Sequence, residues 1–205
     1  MYNKRMRRYA FIDVPNTTGT AWNVLNFLID WKKLHEFLVN GKWSCTRVFF
    51  YKGHKGGKEK EQLDRIADIG YSVRTKLTHV HPDWQRTLQV TCVHCHREFP
   101  VNQLVKGNRK SNCDVELTVD ALEILKPGDD ALIFTGDGDF AYMIEILLNR
   151  GVTMRIISSK NRDSLGKMRF STRLSDILKR EERGENRVQF IHLKNWQKRI
   201  EKLEA

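Results

Sequence analysis

Hydrophobic positions fall along the chain in two alternating rhythms. Short apolar runs at 8–14 (RYAFIDV), 46–51 (TRVFFY), 71–77 (YSVRTKL), 131–135 (ALIFT) and 153–158 (TMRIIS) are rich in β-branched and aromatic residues and predict strands. Between them the apolar residues recur every three or four positions. Residues 22–38 carry Val24, Leu25, Leu28, Trp31, Leu34 and Leu38 at that spacing and predict a helix. Residues 58–70 predict another, closed by Gly70, and 114–125 and 140–151 predict two more, the last ending at Gly151. Strands that alternate with helices need crossover connections, which make neighbouring strands parallel. The predicted fold class is therefore α/β, an open, mostly parallel sheet with helices on both faces in a Rossmann-like arrangement.

The rhythm is interrupted. From Thr78 to Lys110 helical periodicity is poor, and His79, His81, Cys92, His94, Cys95 and His96 cluster there. The main domain is thus expected over residues 1–178, with a small insert at 78–110. Residues 179–205 read as a basic helical extension, preceded by a helix within 164–182 and ending in an amphipathic one over 195–205.

Size and charge narrow the function. A chain of 205 residues, 40% hydrophobic, builds one full-sized core and not two large ones. Lys and Arg number 36 against 25 Asp and Glu, a formal net charge of +11, so the surface attracts polyanions, of which nucleic acid is the commonest. No apolar run approaches the ~20 residues of a bilayer span, and MYNKRMRRYAFIDV lacks the apolar core and cleavage site of a signal peptide. A cytoplasmic protein with no membrane contact is expected, whose 4 cysteines serve as thiols or metal ligands rather than disulfides.

Against this basic background the stretch LIFTGDGDF, residues 132–140, places Asp137 and Asp139 directly after a strand. In a parallel sheet the ligand crevice lies beyond the carboxyl ends of the strands. Asp13 follows the first strand in the same sense, and Gly136 and Gly138 let the backbone turn tightly enough to aim both later acids inward. Asp114, which opens its helix, faces that same end. Taken singly, Asp114 reads as a helix cap and Asp137 and Asp139 as turn residues. Together, four carboxylates repel one another unless a hard cation neutralises them, and Mg2+ or Mn2+ suits such a set. On the helical wheel Glu116, Asp120 and Glu123 form a solvated polar stripe, opposite an apolar one of Val115, Val119 and Leu122. Thr135, just before the turn, is placed either to orient a ligand or to bond backbone.

The segments YAFIDVPN, NCDVELTVDAL and LIFTGDGDFAYMIEILLNRG followed by TMRII, in that order, resemble the NYN branch of the PIN-like nuclease superfamily. The resemblance spans most of residues 8–178 outside the insert. It implies a PIN-like fold and metal-dependent RNA cleavage, with Asp13, Asp114, Asp137 and Asp139 as metal-binding acids and Asn16 as the polar residue after the first strand. The family often has an acid at the Asp120 position as well. It usually has glycine directly after the first Asp, where this chain has Val14 and Pro15, which stiffen the loop presenting Asn16. That departure keeps a second reading in view, a catalytically weak nucleic-acid-binding regulatory protein.

The insert adds separate chemistry. Cys92 and Cys95 in CVHC have the spacing of a zinc knuckle, with Cys113 a candidate third thiolate and His79 or His81 the fourth ligand. The same spacing fits a redox pair or two unligated thiols. Cys45 reads as a core residue. With zinc, the insert is either a stapled substrate-binding flap or a staple for a segment too small to have its own core. YKGHKGGKEK, with Lys55 and Lys58, lacks the spacing and terminal hydroxyl of a Walker loop, so nucleotide hydrolysis is not expected. With KGNRKSN (Lys106, Arg109, Lys110) and KNRDSLGKMR it supplies cations for an RNA backbone.

Overall fold

The apolar runs become strands, the central ones buried on both faces and the one at 71–77 a half-exposed edge. The structure is a computed structural model that describes residues 6–80, 82–106, 109–110 and 112–203. β1 (Arg8–Asp13), β2 (Arg47–His54) and β3 (Ser72–Leu77) are followed by the insert strands β4 (His79–Val80), β5 (Trp84–Thr91), β6 (Glu98–Val105) and β7 (Arg109–Lys110), then by β8 (Asp130–Phe134), β9 (Thr153–Ser158) and β10 (Val188–His192). The helices are α1 (Val14–Asn23), α2 (Trp31–Val39), α3 (Lys58–Ile69), α4 (Asp114–Ile124), α5 (Ala141–Asn149), α6 (Thr172–Glu182) and α7 (Gln197–Ile200). Six strands pair in parallel in the order β10-β9-β8-β1-β2-β3.

Alternation along β1 divides the core in two. Tyr9 and Phe11 point into one layer with Leu117, Ile144, Leu147 and Leu174 of α4, α5 and α6. Ala10 and Ile12 point into the other, with Leu34, Leu38, Leu63 and Ile200 of α2, α3 and α7. Because both faces are covered, the strands read as continuous apolar runs. The chain starts in the middle of the sheet, moves outward through β2 and β3, and later moves outward the other way through β9 and β10. The reversal falls between β1 and β8, and the crevice of such a sheet opens there, beyond the strand ends.

Several sequence expectations change. The helix expected over 22–38 is two helices: α1 begins at Val14, and Asn26, in the left-handed region at φ 58°, breaks the chain before Asp30 caps α2. Val14 and Pro15 therefore do not form a stiff loop. Pro15 lies in the first turn of α1, where its missing N–H costs no hydrogen bond. The C-terminal region is not a helical extension. α6 runs across the expected boundary at 178, and β10 completes the sheet. The helix expected over 195–205 is reduced to the single turn of α7, after which Glu201 pairs with Ile29 in an antiparallel bridge. On α4 the buried face is not the expected Val115–Val119 stripe: Leu117 and Ala121 are buried, while Val115 and Val119 are exposed and only Leu122 of that stripe packs on the core.

The insert leaves the sheet at its β3 edge. β4 pairs with β7, and β5 and β6 form an antiparallel hairpin of eight residue pairs, from Trp84 opposite Val105 to Thr91 opposite Glu98. Among the described residues no helix is long and apolar enough to cross a membrane.

Candidate functional site

Asp13 ends β1 and caps α1, its Oδ1 accepting from the Asn16 backbone N–H at 3.3 Å. Its other oxygen, Oδ2, accepts from the Thr135 hydroxyl at 3.0 Å. Thr135 Oγ1 in turn accepts from the Asp137 N–H at 3.1 Å, so one hydroxyl joins the ends of the two central strands. Asn16 adds a second stitch, its Oδ1 accepting from Gly136 N–H at 2.9 Å. Thr17 adds a third by donating to the carbonyls of Asp13 (2.7 Å) and Phe134 (3.1 Å). Asn16 thus positions the β8 turn.

Asp137 accepts from the Asp139 N–H at 3.0 Å and caps a single 3-10 turn that leads into α5. Asp114 lies at the start of α4, where Asn112 Nδ2 donates to its Oδ2 at 2.6 Å; the cap position is held by Cys113, not by Asp114. Gly136 and Gly138 are needed for room. A Cβ on Gly136 would strike the Arg169 carbonyl, and one on Gly138 the Ser171 hydroxyl, while neither glycine has a positive φ. The tight-turn expectation is replaced by close approach of the 169–171 segment.

The electrostatics are those of crowded acids. Burial first, with Asp114 and Asp137 adding to it, pushes the Asp13 carboxyl up to about 6 against the bonds from Asn16 and Thr135. Burial also raises Asp114, with Asp137 and Asp139 adding to it. The opposite end of the sheet is a control: there Asp129 is bridged by Arg7 at 3.1 Å, and Asp130 by Arg8 at 2.5 Å and by Arg155. Among the described residues no Lys or Arg makes a salt bridge to Asp13, Asp114, Asp137 or Asp139. Their donors are all hard oxygens, which fit Mg2+ or Mn2+. In this conformation Asp137 turns to its own cap, and among the described residues no three acidic, His or Cys side chains stand together at ligand spacing.

Asp120 stands apart. It accepts from the Tyr51 hydroxyl at 3.0 Å and from Arg74 Nε at 2.8 Å, so the stripe expected to be solvated is partly paired, with Glu116 also bridged by Lys76 at 3.1 Å.

Beside the acids runs a cleft of about 480 Å³ lined by Asn16, Asp137, Asp139, Lys167, Arg169 and Arg173. Lys167 and Arg169 belong to the third basic stretch of the sequence, but nothing in its pattern placed them next to the β8 turn. Lys55 and Lys58 flank the loop after β2, also at the carboxyl end of the sheet, and Lys55 lies 4.0 Å from Glu59. Lys106 is exposed at the end of the hairpin nearer the main sheet in sequence, and Arg109 and Lys110 form β7.

The zinc set is not brought together as expected. Cys113 is buried in the main core with Tyr51 and Leu117, its thiol pushed up to about 11 by burial and then by Glu116. Cys92 and Cys95 occupy the turn of the β5–β6 hairpin, which lies beyond the end of β5 at Thr91. Cys113 is therefore not their third ligand. His79 lies in β4, before the hairpin begins, and His81 lies outside the described residues. At the turn the backbone N–H groups of Cys95 and His94 donate to the Cys92 sulfur and hold that thiol below its usual value.

Comparison with known proteins agrees with this architecture. The chain is similar, at 26% identity over 130 residues, to the low amplitude and bright protein LabA of Synechococcus elongatus. That match takes in 62% of this chain and 59% of LabA, so the chain spans about three-fifths of the relative's length. The crystal structure of a protein of unknown function, VPA0982 from Vibrio parahaemolyticus, superposes with a TM-score of 0.60 at 18% identity, over 94% of this chain and 96% of that one, and shares the fold. The NYN domain family matches residues 8–173, from the start of β1 into α6, and the chain belongs to that family.

Proposed function

We propose that this NYN domain is a metal-dependent endoribonuclease that hydrolyses phosphodiester bonds in single-stranded or loop RNA, with Asp13, Asp114, Asp137 and Asp139 holding Mg2+ or Mn2+. The observation that carries the reading is the set of four carboxylates at the β1–β8 switch point without a salt-bridged cation among the described residues, beside a cleft lined by Lys167, Arg169 and Arg173. A bound divalent ion supplies a water of lowered pKa and positive charge opposite the developing oxyanion. Thr135 orients the Asp13 carboxylate and ties it to the Asp137 turn, while Asn16 fixes Gly136. The cations of the cleft hold the RNA backbone, with Lys55, Lys58, Lys106, Arg109 and Lys110 extending the track. At the hairpin, Cys92 and Cys95 take a structural Zn2+.

The test is cleavage of mixed structured and unstructured RNAs with Mg2+, Mn2+ or EDTA, alongside Asp137→Asn. Cleavage should need the metal and fall by orders of magnitude in the variant, with RNA binding kept. Unchanged cleavage in Asp137→Asn would overturn the assignment. The capping posture of Asp137 favours one alternative, a regulatory RNA-binding protein that binds Mn2+ without turnover.

A further inference from the structure

Two features of the insert are incomplete among the described residues of one chain. The first is the Cys92–Cys95 turn. Cys92 N–H closes the turn on the Arg97 carbonyl at 2.9 Å, and His96 N–H closes it on the Cys92 carbonyl at 2.9 Å. His96 takes the left-handed conformation, φ 56°, that lets the chain double back after the second cysteine. A structural zinc takes four ligands, and among the described residues no third Cys, His, Asp or Glu stands with this pair.

The second feature is the hairpin itself. Trp84 opposite Val105, Leu88 opposite Val101 and Val90 opposite Phe99 share one face with the polar pair Arg86 and Gln103, six apolar residues of eight, while the other face, with Thr87 and Asn102, Gln89 and Pro100, and Gln85 and Leu104, is mostly polar. Trp84, Val90, Phe99 and Val101 are between 39% and 53% exposed. Within the described chain β5 and β6 pack extensively only on each other. A lone two-stranded hairpin is marginal in water, and a sided apolar face needs a cover.

We propose that two copies of this chain dimerise through these hairpins, covering the apolar faces and placing four thiolates, Cys92 and Cys95 of each copy, around one Zn2+. Because each copy gives the same two ligands, the two-fold axis passes through the zinc. The second copy is favoured over another partner because one symmetric contact completes both features: it doubles the ligand count to four and sets one apolar face on its equal. Binding releases the thiol protons, leaving a zinc–tetrathiolate unit of charge −2 with Arg97 adjacent in each chain. The proposal rests on the zinc reading of the hairpin turn and is independent of the nuclease reading.

The full chain, purified without chelator, is tested by light scattering and metal analysis. The expected mass is twice the 24.1 kDa of one chain, with one zinc per two chains. Cys92→Ser with Cys95→Ser should give a zinc-free monomer whose helical far-UV circular dichroism is kept, since the main sheet and its helices do not depend on the hairpin; EDTA should do the same and added zinc should reverse it. Cobalt should saturate at half an equivalent per chain with tetrathiolate absorption. One zinc per monomer overturns the sharing while leaving the zinc reading intact. Absence of zinc overturns both, and a dimer that persists in the double variant shows that the metal is not its bridge.

Discussion

The Thr135 hydroxyl donates to Asp13 Oδ2 across 3.0 Å, linking residues 122 positions apart in sequence and both buried. Through it the end of β1 and the turn after β8 are one unit, because the same oxygen accepts the Asp137 amide. The contrast with Asp130 is instructive. Two arginines pair that carboxylate and make it a structural group, whereas Asp13 is given neutral donors and like-charged neighbours.

Thr135→Val keeps the shape and removes that hydroxyl. Asp13 loses a bond that stabilises its charged form, and the Asp137 amide loses its acceptor. Loss of a supporting hydrogen bond to a metal-binding group typically costs about 10- to 100-fold in activity or metal affinity, and the buried vacancy costs about 1–3 kcal/mol of stability. The acidic limb of the rate profile should move to higher pH, since Asp13 then ionises later. A rate–pH profile unchanged from the parent would show that Thr135 does not act through Asp13.

Asp13 also makes a signed prediction about stability. Burial holds its carboxyl near 6 in the fold, against 3.8 for the free side chain. The folded chain therefore holds the proton more tightly than the unfolded chain. Its contribution is complete below the unfolded value and is lost as pH rises through the folded one, by roughly 3 kcal/mol for such a shift. Asn caps a helix as well as Asp does. Metal-free Asp13→Asn should therefore gain on the parent between about pH 4.5 and about pH 7.5, and Mg2+ should narrow the gap by favouring the parent. Urea melts at the two pH values measure it; a constant difference would mean that Asp13 titrates normally.

Much of this was legible because parallel strands are buried on both faces. β1, β2, β8 and β9 stand out as continuous apolar runs, and the acids just beyond β1 and β8 fall where such a sheet binds ligands. β10 was not legible: it is an edge strand of five residues, with only Val188 buried, after a heavily charged helix. Nor was the orientation of α4, because its buried face uses Leu117 and Ala121 while β-branched Val115 and Val119, apolar by type, face outward. The basic cleft depends on the 169–171 segment passing over Gly136 and Gly138, a contact between distant segments that no local pattern encodes.

That passage can be tested by adding one carbon. In Gly136→Ala the new methyl meets the Arg169 backbone carbonyl, which cannot rotate away, and the Ser158 hydroxyl at 2.8 Å. Overpacking of this kind costs about 1–3 kcal/mol. In Gly138→Ala the obstacle is the Ser171 side chain, which can turn but then gives up its cap on the Arg173 N–H, a loss of about 1 kcal/mol. Both variants should melt below the parent, Gly136→Ala by more. Equal melting temperatures for all three would mean that the segment does not lie as close as described.

The cations of the cleft should separate binding from chemistry. Lys167 and Arg173 line the same cleft as Asp137 and Asp139, whereas Lys55 stands within 4.0 Å of Glu59 and is partly compensated. Each phosphate neutralised on a single strand contributes about 0.7 to the log–log salt slope of binding. Replacing Lys167 and Arg173 together by Ala should therefore weaken RNA binding and flatten the slope by about 1.4 if each meets one phosphate. The Lys55 and Lys58 pair should give a smaller change, because removing Lys55 also frees Glu59. Asp137→Asn should do the opposite, binding with the parental slope or tighter while failing to cut. Binding of an unstructured RNA, titrated at several salt concentrations with EDTA present to prevent cleavage, measures all three. If the Lys55 and Lys58 pair flattens the slope more than the cleft pair does, the RNA runs over the loop after β2 and not through the cleft beside the β8 turn.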